Sequence, residues 1–231
     1  MMFEPFSLAH WAAIAGTVAL VALIIGFRSR LRGMAMDRIV RWGMAAVLIA
    51  SEVSLYTWYS VAHIWGLYAL PFQLCTLMVW VSAAMLLTRS RKLFEIAFFL
   101  GILGALQALL TPNLDQTFPH FRYFHFFIAH AAIIGASVYM AAVAGYRLTF
   151  RSLLRAFGWL NAFALAAGMV NLATGENFMF LARKPDTPSL LDLLAPWPWY
   201  LAELEVVAFL LCLLLFGIAR WLRGEASVEK A

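Results

Sequence analysis

Charge is what this chain has least of. Charged residues make up 13% of the 231 positions, about half the proportion usual in a soluble domain (~25%). With so little charge there is no sizeable water-facing surface, and so no room for a large soluble domain. Cysteine is also scarce: two residues, Cys75 and Cys212, cannot build a disulfide framework, and neither CxxC nor zinc-type Cys/His spacing occurs. No 20–50-residue period repeats and no low-complexity linker appears, which excludes solenoids and tandem arrays. The start, Met1–Trp11, lacks a basic stretch and a small-residue cleavage site, so no removable signal peptide is expected.

Apolar residues, by contrast, reach 64% and the mean hydropathy is +0.84. Several apolar runs reach the ~18–20 residues needed to cross about 30 Å of hydrocarbon. Backbone polar groups cannot stay unpaired in lipid, so these runs are read as helices. Seven spans are expected, at about residues 8–27, 38–60, 71–88, 93–110, 123–143, 154–174 and 199–222. The fold class is all-α integral membrane, with residues 1–231 forming one seven-helix bundle.

The basic residues set an orientation. Arg28, Arg30, Arg32, Arg38 and Arg41 follow span one; Arg89, Arg91 and Lys92 follow span three; Arg147, Arg151 and Arg155 follow span five; Arg220, Arg223 and Lys230 close the chain. The alternate loops hold only Arg122, Arg183 and Lys184. This asymmetry places the amino terminus outside and the carboxy terminus inside a cell membrane. The net charge of +5 therefore reflects topology, and no nucleic-acid partner is expected. All eight prolines (Pro5, Pro71, Pro112, Pro119, Pro185, Pro188, Pro196 and Pro198) fall at the outer side. Proline suits first helical turns and rigid loops, so the outer connections are the shaped ones.

Polar residues within spans are costly and hence informative. They concentrate in the outer half: Glu52, Gln73, Cys75, Gln107, His125, His130, Asn171, Glu203 and Glu205, with only Glu95 and Asn161 toward the inner half. From the helical rise, Cys75 lies about 6 Å and His130 about 10 Å below their helix starts, which puts the two at one level. Cys212 lies about 20 Å into the last span, too deep to pair with Cys75. Gln73 is about 200° round the helix from Cys75, and His125 about 140° from His130, so neither pair shares a face.

A cysteine and a histidine at ester-carbonyl depth suit nucleophilic acyl transfer. The reactive form is the thiolate, and a base must take its proton. The start of span three offers a positive helix end and unpaired first-turn amides for an oxyanion. Glu52 or Asn171 would orient His130, or Glu52 would accept from Tyr56 one turn on. The bland alternatives are a cysteine that merely fills space and a histidine that merely bonds a neighbouring helix. Three other functions compete: a lipid hydrolase or thioesterase at the same residues, a proton or solute path through Glu52, Gln107, His130, Asn161, Asn171 and Glu203, and haem or metal binding. No two histidines stand at i, i+3 or i+4, so neither a metal nor a cofactor is expected.

The segment Leu70-Pro71-Phe72-Gln73-Leu74-Cys75 resembles the LP-x-x-L-C motif of the YwaF family, which includes transmembrane protein 164. The resemblance continues through Phe126–His130, residues 177–181, Lys184-Pro185, residues 189–192 and Pro196-Trp197-Pro198-Trp199-Tyr200. It implies a seven-helix fold related to the androgen-induced-gene family of membrane lipid hydrolases. It also implies cysteine-dependent transfer of an acyl chain from a phospholipid to a lysophospholipid, with Cys75 and His130 as the catalytic pair. Further substrate-binding or orienting residues are expected among Glu52, Gln73, Gln107, His125, Asn171, Asn177, Trp199, Tyr200 and Glu203.

Overall fold

In the computed structural model, residues 2–186 and 189–228 are described, residues 223–228 by backbone alone. Nine α-helices make up the described chain: α1 (Leu8–Gly26), α2 (Arg28–Leu31), α3 (Met34–Val61), α4 (Leu74–Thr88), α5 (Arg91–Ile96), α6 (Ile102–Leu110), α7 (Phe121–Ala142), α8 (Phe150–Thr174) and α9 (Trp199–Val228). A π-helical turn, Ala97–Gly101, joins α5 to α6 without a break. Counted by length and apolarity, these elements give seven helices able to cross a membrane, at the places the hydropathy indicates. Of the basic and proline residues read from the sequence, Pro188 and Lys230 lie outside the described residues.

Local chemistry accounts for several helix ends. The Ser7 hydroxyl accepts the His10 N–H at the start of α1, and His120 Nδ1 accepts the Arg122 N–H at the start of α7. Thr149 and Ser152 form a reciprocal capping box on α8, which ends at Gly175 in the left-handed region (φ 76°).

The third span departs from its expected start. Pro71 offers no N–H and forces the preceding Leu70 into extended backbone (ψ 142°). A 3-10 turn, Leu67–Ala69, precedes this break, and the α-helix resumes only at Leu74, with extended Gln73 as its N-cap. Cys75 is therefore the second residue of α4, in the first turn rather than a full turn below it.

The bundle is built around α7 and the α5–α6 span, each 61% buried, whereas the last span is only 6% buried and lines the periphery. Their core is aromatic and aliphatic: Phe94, Phe99, Ile133, Tyr139 and Met140 meet Met78, Met85 and Leu86 of α4 and Leu48 of α3. Helices α3 and α4 pack along each other, and both pack on α7. The Ser137 hydroxyl donates to the Ala97 carbonyl at 3.0 Å, fastening α7 to the π-helical turn.

The arginine-rich end is more polar than the sequence reading allowed. Arg41 and Asp37 belong to α3, not to a loop, and both are buried. Arg41 donates to Asp37 (3.0 Å) and to the Leu86 carbonyl, Tyr139 donates to the other Asp37 oxygen (3.0 Å), and Arg89 stands 3.7 Å away. A second network joins Glu95 to Arg155 (2.7 Å) and Ser152 (2.9 Å). The outward bias of intramembrane polar groups is corrected accordingly: both ends carry them, but those at the arginine end are mutually satisfied.

Candidate functional site

The candidate site lies at the proline-rich end, where α3, α4, α6 and α7 converge. Its first element is the uncapped start of α4. A helix leaves its first N–H groups without intrahelical partners, and an N-cap side chain ordinarily takes one or two of them. Gln73 does not: its Oε1 accepts the Met179 N–H of a distant loop instead. The first-turn amides of Leu74, Cys75 and Thr76 are thus left beside the Cys75 thiol. Both cysteines are free thiols; Cys75 is half-buried and Cys212 fully buried.

The second element is a pair of glycines, Gly101 at the end of the π-helical turn and Gly104 in the first turn of α6. At Gly101, an added Cβ would meet Ile133 Cγ2 of α7 at 2.9 Å and Met78 of α4 at 3.9 Å, so the three helices touch there. One turn toward the proline-rich end on each of them stand Gly104, His130 and Cys75. At Gly104 the nearest atoms to an added Cβ are Leu74 Cδ2 at 3.4 Å and Cys75 Sγ at 3.8 Å. The missing side chain leaves room against the sulfur.

His130 is 7% exposed, with Nδ1 2.6 Å from the Phe126 carbonyl and its ring against that of Phe126. A carbonyl only accepts, so Nδ1 carries the hydrogen and Nε2 presents a lone pair. Among the described residues Nε2 makes no hydrogen bond. Among the described residues this backbone contact is the hydrogen bond on the ring, and neither Glu52 nor Asn171 makes one to it.

Glu52 is 2% exposed, and its Oε2 has no hydrogen-bond partner. It does not bond to Tyr56; it lies within electrostatic range of Cys75, Tyr56, Tyr59 and Arg122. Arg122 points elsewhere, with Nη1 on His125 Nδ1 (3.2 Å) and the guanidinium over the Trp58 ring (5.8 Å). Because arginine only donates, His125 Nδ1 accepts, and its Nε2 is a buried N–H with no partner.

The remaining expected residues build the loop over the mouth of α4. Asn171 Oδ1 accepts the Phe178 N–H (2.7 Å) and its Nδ2 donates to the Phe178 carbonyl (3.0 Å). Asn177 Oδ1 accepts from Ala182 and Arg183, the fully buried Tyr200 donates to the Phe180 carbonyl, and Glu203 accepts the Ala195 N–H at 2.7 Å. Phe178 packs its ring on Phe72, 5.7 Å between centroids. Gln107 donates to Thr111 of its own helix end, and Trp199 is exposed at the surface.

Three participants escaped the sequence reading. Arg122 counted only as a loop charge, although its place three residues before His125 signals a shared helix face. Gly104 was one glycine in an apolar run, although the Gly-Ile-Leu-Gly spacing of residues 101–104 marks a close-packed stripe. His10 is fully buried, with Nε2 2.7 Å from the Leu109 carbonyl, and fastens α1 to α6.

Fold and site together define a polytopic seven-helix membrane protein with a thiol, an imidazole and a carboxyl gathered at one end. The family model described as the TMEM164 family matches residues 5–216, and the chain belongs to that family. No curated protein and no solved structure matches it.

Proposed function

We propose that this protein is a membrane lipid acyltransferase working as one seven-helix unit in a cell membrane, amino terminus outside. Cys75 takes an acyl group from a phospholipid ester and passes it to the hydroxyl of a lysophospholipid. The observation that carries this reading is the stack at Gly104. The thiol occupies the uncapped first turn of α4 close against Gly104, and His130, its Nε2 lone pair uncommitted, sits one turn above the shared Met78–Gly101–Ile133 contact.

In the first half-reaction, His130 Nε2 takes the thiol proton and the sulfur attacks the ester carbonyl carbon. Negative charge gathers on the carbonyl oxygen, where uncapped α4 amides can donate. Collapse releases the lysolipid and leaves a thioester on Cys75; attack by the acceptor hydroxyl reverses the sequence. The satisfied ionic networks and continuous aromatic core at the arginine end argue against a proton or solute path.

The test is direct. Purified protein in phosphatidylcholine vesicles is expected to form a hydroxylamine-sensitive acyl adduct that Cys75→Ala abolishes and His130→Ala slows. An adduct that persists in Cys75→Ala overturns the assignment. Adduct discharge that depends on added lysophospholipid supports a transferase, whereas equal discharge in its absence makes the enzyme a hydrolase.

A further inference from the structure

Three acidic side chains are buried among the described residues, and two of them are matched. Asp37 has Arg41 and Tyr139; Glu95 has Arg155 and Ser152. Glu52 has neither an ion pair nor a hydrogen bond, at 2% exposure and in the half of the bundle that holds Cys75. An isolated ionised carboxylate in such a setting is very costly, whereas a carboxylic acid that donates to an oxygen is not. Arg122, whose charge reaches Glu52, is engaged by His125 and Trp58 and does not pair with it. The orphaned carboxyl therefore marks a place where an oxygen of another molecule is received.

We propose that Glu52 is a catalytic residue that exchanges protons with the lipid oxygens, while His130 exchanges them with the sulfur. The proposal rests on the acyl-transfer reading above. As the phospholipid C–O bond breaks and the C–S bond forms, the departing oxygen takes the Glu52 proton and leaves as a lysolipid hydroxyl. The enzyme then holds a thioester, a carboxylate at Glu52 and an imidazolium at His130, so the second half-reaction starts with a base and an acid already in place. The acceptor lysophospholipid gives its hydroxyl proton to the Glu52 carboxylate while its oxygen attacks the thioester. The C–S bond breaks, the sulfur recovers its proton from His130, and the resting enzyme is restored with no net gain or loss.

This division has a consequence that a structural role for Glu52 does not share. A donor whose leaving group needs no proton, such as a fatty-acid p-nitrophenyl ester, bypasses the residue. In Glu52→Gln, the rate of Cys75 acylation from the p-nitrophenyl ester divided by that from phosphatidylcholine is expected to rise by about 10²–10⁴-fold, the usual worth of a general acid. The quotient is independent of how much protein is folded. It is also read in Glu52→Asp, where a smaller rise is expected because a shorter carboxyl remains. An unchanged quotient in both variants overturns the proposal, whether or not absolute activity falls. Failure of the underlying reading is separate: it shows as an adduct from either donor that survives Cys75→Ala.

Discussion

Gln73 Oε1 accepts the Met179 N–H at 3.0 Å, joining the residue that begins the Cys75 helix to a loop 106 residues further along. The contact does two things at once. It anchors the loop formed by Asn171, Asn177 and Tyr200, and it holds the Gln73 amide away from the helix start it would otherwise cap.

Gln73→Ser tests this division. A serine at the N-cap position bonds the N–H of the second or third helical residue, here Cys75 or Thr76. The helix start is expected to gain stability, and acylation of Cys75 to fall by up to about 10²–10³-fold as oxyanion donors are occupied. Single-turnover acylation beside a melting curve separates the two effects. Gln73→Ala should leave the amides free and raise hydrogen exchange at Met179, at a cost of about 0.5–1.5 kcal/mol.

The glycine stripe makes opposite predictions at its two positions. Gly101→Ala places a Cβ 2.9 Å from Ile133 Cγ2, so overpacking should destabilise the protein by about 1–3 kcal/mol. At Gly104 an added Cβ meets only side-chain atoms, at 3.4 and 3.8 Å, so Gly104→Ala is expected to fold with little loss, and the bulkier Gly104→Leu to block alkylation of Cys75 by a lipophilic maleimide. Undiminished alkylation in Gly104→Leu would mean that the sulfur is reached from another side.

Asp37→Asn removes the charge partner of Arg41, which is only 6% exposed. Loss of one member of a buried pair typically costs about 3–5 kcal/mol. The melting temperature should drop sharply, while the ratio of acylation rates from two lipid donors stays as in the unaltered protein.

The orientation inferred from the arginines is checked by labelling. In Cys75→Ala/Cys212→Ala protein, a cysteine at His63 should react with a membrane-impermeant maleimide added to intact cells. A cysteine at Arg147 should react only after permeabilisation. Reversed labelling would turn the bundle over and put the site at the inner leaflet.

How far the sequence discloses these features depends on the length scale of the signal. Spans such as Leu8–Gly26 and Phe121–Ala142 were plain, because crossing hydrocarbon needs a long apolar run and nothing shorter imitates it. Cys75 and His130 stood out because polar residues are few there. The roles of Asn171, Asn177 and Glu203 did not: a side chain that pairs with a backbone amide in a folded loop has the same spelling as one that meets a ligand. By sequence Arg41 is one more topogenic charge, because local charge counting cannot see Asp37 and Tyr139 arriving from the same and neighbouring helices. The place of Gly104 depended on a helical irregularity that no periodicity reveals.

That irregularity, the π-helical turn at Ala97–Gly101, works as a ratchet tooth in the middle of a span. A π turn accommodates one residue more than an α turn, and each residue turns a helix by about 100°. Wound as a regular α-helix with every residue kept, the same span would swing Gly104 about a quarter-turn off the sulfur, carrying Leu103 or Ala105 toward it. The close approach of a side-chain-free backbone to Cys75 is therefore a matter of phase as well as of glycine: the same residues, one step out of register, would set a side chain there.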